Sequence, residues 1–201
     1  MTTTNQNAAG SFEGRIDHNP DLADGANSVV AIVSIKSNSP GASNIVAKKR
    51  VLGFVVDGSG SMDGAKWKGA KQAVIKGVEA MPTDGNTYFF VIMGGDAAHI
   101  IVETMLSTDD NKRKALAALA AMNNTGGTYF ARWLAGARAQ FAKVTGGINI
   151  LYFLTDGKNE GEDVATLEKE LTRCVGQFEV ECRGVGVGYK AEELREDGAK
   201  N

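Results

Sequence analysis

Residues 51–66 read VLGFVVDGSGSMDGAK. The apolar run VLGFVV ends abruptly at Asp57. Such a run is the pattern of a strand buried on both faces, as in a parallel sheet. Two hydroxyls follow, Ser59 and Ser61, set among Gly58, Gly60 and Gly64. A helix is expected over 64–81, because Trp67, Ala70, Val74, Val78 and Met81 recur at three- and four-residue steps. Pro82, Asp84 and Gly85 then stop it.

Outward from this unit, strands and helices alternate. TYFFVIMGGD (87–96) and HIIVETML (99–106) read as strands. The GGDA between them leaves no room for a crossover helix, so they form an antiparallel hairpin. Helices are expected over 109–122, 129–143 and 163–176, the last with Val164, Leu167, Leu171 and Val175 on one stripe. INILYFLTDG (148–157) is another buried strand, FEVECRGVGVG (178–188) a final one, and 190–197 a short helix. Parallel strands with intervening helices predict a three-layer, Rossmann-like α/β fold, helices on both faces, with one antiparallel edge strand. Ligands of such sheets sit beyond the carboxyl ends of the strands, where Asp57 and Asp156 stand.

The N-terminal region is different. Residues 1 to about 15 are polar and expected to be disordered. SVVAIVSIK (28–36) reads as a strand and SNSPGASN (37–44) as a linker. This divides the chain into an extension, 1–44, and an α/β domain, 45–201.

Composition narrows the function classes. The 201 residues are 43% apolar and 23% charged, ordinary for a soluble domain. A net charge of −2 gives no electrostatic basis for nucleic-acid binding. No apolar run approaches the ~20 residues of a membrane span. The N-terminus lacks the apolar core of a signal peptide, so a cytoplasmic location is expected. Cys174 and Cys182, the only cysteines, read as buried thiols.

In an extended loop, alternate side chains point the same way, so Asp57, Ser59 and Ser61 face one point above the sheet edge. Asp156 ends the next apolar strand, and Thr128, at the expected N-cap of the 129–143 helix, closes a TGGT loop. Neutral hydroxyls with two carboxylates are hard-cation chemistry and suit Mg²⁺, with Mn²⁺ or Ca²⁺ as alternatives. A cation held largely by hydroxyls and water keeps its charge and attracts a carboxylate from outside.

Other readings of the same loop are weaker. Its glycines are spaced G-x-G-x-x-x-G, one residue too long for a dinucleotide loop, and Asp57 would repel the phosphates. Gly64-Ala65-Lys66-Trp67 lacks the Gly-Lys-Ser/Thr of a Walker A loop. A metal-assisted hydrolase needs a base, yet His18 lies in the polar N-terminal segment and His99 begins an edge strand. DHNPD (17–21) reads as a turn. Helix capping accounts for Ser61 or Asp63 but not for Asp57 with Asp156. Two acids at adjacent strand ends repel unless a cation or a basic residue lies between them, and Lys158, the local candidate, lies past the turn and reads as solvated. Trp67 and Trp133 read as core, and KRK (112–114) as a solvated helix face.

Asp57-Gly58-Ser59-Gly60-Ser61, with TGGT and LTDG downstream, resembles the von Willebrand factor type A domain over about residues 49–189. That family's metal-ion-dependent adhesion site has the form D-x-S-x-S, then Thr, then Asp. The resemblance implies Ser59, Ser61 and Thr128 as ligands, with Asp57 and Asp156 acting through water. Thr125 is the rival to Thr128, which fits the family's GGT before a helix. It further implies a non-enzymatic domain that binds another protein through an acidic side chain on the ion. The tail KAEELREDGAKN is too short for the family's last strand and long helix, which are expected to be missing. Some bacterial members carry a preceding strand that joins a β-sandwich. If the 28–36 strand lacks such partners, its open edge invites self-association.

Overall fold

The computed structural model describes residues 11–18, 31–38, 48–157 and 159–186. The chain divides into two compact units, Met1–Val46 and Ala47–Asn201.

In the first unit, β1 (Ser11–His18) pairs antiparallel with β2 (Ala31–Asn38). Residues 11–15, expected to be disordered, are therefore strand. The segment read as a lone strand has a partner on one side. Ser37 and Asn38, read as the start of the linker, instead end β2. Expectations for residues 1–10, for the Asn-Pro turn, for the rest of the linker and for a helix over 190–197 fall outside the described residues.

The second unit is a five-stranded sheet of order β5-β4-β3-β6-β7. Its strands are β3 (Arg50–Asp57), β4 (Thr87–Gly94), β5 (Ala98–Leu106), β6 (Ile148–Thr155) and β7 (Glu179–Gly184). β3 lies at the centre, parallel to β4 and β6, and β7 runs parallel to β6. β5 is the antiparallel edge, as the short GGDA turn requires. The helices are α1 (Ala65–Ala80), α2 (Asp109–Ala121), α3 (Phe130–Phe141) and α4 (Val164–Cys174). Among the described residues, no helix is long and apolar enough to cross a membrane.

Alternation along β3 builds two cores. Phe54 and Val56 pack with Trp67, Val74 and Val78 of α1 and Leu119 of α2. Val51 and Val55 pack with Trp133 and Phe141 of α3 and Cys174 of α4. Both faces of the strand are therefore dry, which is why its sequence is apolar without interruption. The one exception, Gly53, marks a close approach: a Cβ there would lie 2.3 Å from the Phe90 ring.

Some expectations change. On α4, Val164 and Val175 are 72% and 60% exposed, while Leu167 and Leu171 pack on the core. Glu170 is buried instead, held by Arg138 and Arg173 at 3.0 Å each. Cys174 is buried but Cys182 is exposed, since β7 is an edge strand. Lys112 is not simply solvated: it donates to the carbonyls of Glu79 and Met81 at the end of α1. Lys71 does the same for Ala120 and Met122 at the end of α2. Each helix thus supplies the cation for the other's negative C-terminus.

Candidate metal centre

The carboxyl ends of β3 and β6 lie side by side and deliver Asp57 and Asp156 together. Asp57 is fully buried. Its Oδ1 accepts from the Ser59 amide at 2.9 Å, and its Oδ2 from the Thr155 hydroxyl at 2.6 Å. Burial, the largest influence, raises its pKa above the usual carboxylate range. Hydrogen bonds from Ser59 and Thr155 oppose that rise, and the charge of Asp156 adds to it.

From Asp57 the oxygens run outward. Ser59 is buried, and its Oγ lies 3.0 Å from the Oγ of exposed Ser61. Ser61 donates in turn to Asp156 Oδ1 at 3.1 Å. Four of the five residues singled out in the sequence thus form one connected set, dry at Asp57 and wet at Ser61.

The glycines act differently from one another. Gly58 donates to the carbonyl of Gly94 at 2.7 Å, and a Cβ on it would meet that same oxygen at 2.7 Å. The loop can descend onto β4 only without a side chain. Gly64 has φ +76° and forms the N-cap of α1. No side chain caps α1, so capping does not explain Ser61 or Asp63. Asp63 instead accepts from the Asn124 amide.

Thr128 is buried and Thr125 exposed. Thr128 is not the N-cap of α3: Tyr129 holds that position, without a side-chain cap. The loop is pinned from both sides. Gly127 donates to Asp96 Oδ1 at 2.8 Å, and the Thr128 carbonyl accepts from Gly161 at 2.8 Å.

Lys66 was not foreseen as part of this site. Its Nζ lies 2.7 Å from Asp156 Oδ2 and 3.2 Å from the Ser61 carbonyl. Lys66 therefore supplies a basic neighbour to Asp156, while Lys158, read as solvated, lies outside the described residues. One local signal exists: a lysine in the first turn of a helix opposes the helix dipole and needs an anion nearby. Thr155 also escaped notice, since only strand adjacency makes it the partner of Asp57.

Among the described residues no group of three or more His, Cys, Asp or Glu stands together. The donors here are two carboxylates and hydroxyls, a set suited to a hard cation rather than to zinc. The sequence model of the von Willebrand factor type A domain matches residues 52–198.

The chain belongs to the von Willebrand factor type A family.

A von Willebrand factor type A structure from Catenulispora acidiphila is 28% identical to it, with a TM-score of 0.71. That similarity covers 98% of this chain but 45% of the other, so the chain spans less than half that relative's length. The manganese-loaded TRAP protein of Plasmodium vivax shares the fold at 12% identity and TM-score 0.60, over 96% of this chain and 68% of its own. Proximal thread matrix protein 1 of the mussel byssus does so at 19% and 0.62, over 76% and 42%. No curated protein matches the chain. Type A domains commonly mediate protein–protein adhesion and are generally not enzymes.

Proposed function

We propose that this type A domain binds a divalent cation at a metal-ion-dependent adhesion site and recruits another protein through it. The observation that carries the reading is the convergence of Asp57, Ser59, Ser61 and Asp156 at the ends of β3 and β6, in a loop whose oxygens cap no helix. Ser59, Ser61 and Thr128 would hold Mg²⁺, or Mn²⁺ or Ca²⁺, with Asp57 and Asp156 contributing through water. The bound cation would supply an electrophilic point for a carboxylate of the partner. Asp57 is buried and its pKa is raised, so a nearby cation would stabilise its charged form. Further support comes from the manganese-loaded TRAP protein, which shares the fold.

We read the domain as non-enzymatic. The alternative, a metal-assisted hydrolase, requires a general base, and His99 lies exposed on the edge strand β5. Self-association is a separate reading of the first unit, where β1 and β2 pair only with each other among the described residues. It predicts a concentration-dependent mass that disappears when residues 1–46 are removed.

Isothermal calorimetry tests the metal reading. The wild-type protein is expected to bind Mg²⁺ or Mn²⁺, and Asp57→Ala to lose that binding while keeping its circular dichroism spectrum. Unchanged affinity in the variant would refute the assignment. With a carboxylate-bearing partner identified, EDTA should release it.

A further inference from the structure

Resting on that metal reading, we propose that Lys66 sets the site's cation affinity by placing a competing positive charge within it. The ammonium bonds to Asp156, a carboxylate only 10% exposed, and to the Ser61 carbonyl beside it. Ser61 Oγ is bonded to the other oxygen of the same carboxylate. Lys66 thus engages two of the residues assigned to the cation.

This placement is built rather than incidental. Gly186, just beyond β7, lies against the alkyl stem of Lys66. A Cβ on Gly186 would come within 3.0 Å of its Cε and 3.2 Å of its Cγ. With φ +97°, Gly186 adopts a backbone that other residues rarely take, and the space is left to the lysine. The ammonium therefore sits against the dipole of its own helix, held there by Asp156.

Charge counting gives the consequence. Asp57 and Asp156 bring two negative charges, and Lys66 returns one positive charge. An arriving cation gains from the carboxylates but is repelled by the ammonium, or must displace it from Asp156. Lys66 keeps the metal-free site tolerable and makes the ion exchangeable.

Mn²⁺ titrations of wild type, Lys66→Met and Lys66→Arg decide the matter. Methionine keeps the stem against Gly186 and removes the charge, whereas arginine keeps the charge. Lys66→Met is expected to bind Mn²⁺ roughly fivefold or more tightly, the scale of one screened charge beside a partly exposed site. Its metal-free form should melt lower than wild type and gain more Tm on Mn²⁺ addition. Lys66→Arg, which keeps the positive charge, should not bind Mn²⁺ more tightly than wild type. Binding by Lys66→Met alone would support the proposal in its strongest form, with the lysine blocking the site. Equal or weaker binding by Lys66→Met would overturn it and leave the metal site standing. Absence of Mn²⁺ binding in all three would overturn both.

Discussion

Asp57 is where the energetics of the site concentrate. A carboxylate without solvent access costs stability unless it is fully bonded or balanced by opposite charge. Ser59 and Thr155 supply bonds, but Asp156 adds like charge. Because its folded pKa lies above the unfolded one, this group destabilises the metal-free protein above the folded pKa. The penalty fades as pH falls through that value. Asp57→Asn is therefore expected to raise the metal-free Tm at pH 7. That advantage should shrink on acidification, and the variant should show no Tm gain from Mg²⁺. Thermal melts across a pH series check both. A carboxylate at the end of VLGFVV was visible in the sequence. Its full burial was not, because burial depends on Thr155 lying alongside.

Among the elements, packing between α3 and the sheet edge matters most for the site. Trp133 of α3 lies fully buried over the end of β4 and donates its Nε1–H to the Gly95 carbonyl at 2.8 Å. A Cβ on Gly94 would lie 2.4 Å from that ring. The same Gly94 carbonyl anchors Gly58 at the start of the metal loop. Gly94→Ala should cost about 1–3 kcal/mol, the usual penalty for overpacking. It should appear as a lower urea midpoint at unchanged m-value, together with weaker cation binding. Gly69→Ala, at an exposed position on α1 with open space around it, should gain about 0.5–1 kcal/mol instead. The elements themselves were legible, since periods of two and of three to four residues are local properties. Their outer surfaces were less so. The α4 stripe pointed to Val164 and Val175 as buried, yet both lie at helix ends beyond the reach of the core.

At the scale of the molecule, both cores and all five strands of the large sheet lie within Ala47–Asn201. We expect residues 47–201 to fold alone, with one cooperative transition and a Tm within a few degrees of the full chain's. Circular dichroism of the shortened protein checks this, and a molten or broad transition would show that the first unit is needed. What the sequence by itself determined is the α/β pattern, the antiparallel hairpin and the D-x-S-x-S loop with its distant Thr and Asp. The pattern, the hairpin and the loop are each written in residues a few positions apart, and the Thr and Asp in two further short motifs, TGGT and LTDG. Only the tertiary structure decided that Lys66 lies on Asp156, 90 residues away, and Thr155 on Asp57, 98 residues away. Such pairs depend on the order of strands in the sheet. Periodicity reports which way a side chain faces along its own element, and only the assembled sheet decides which side chain from elsewhere it meets.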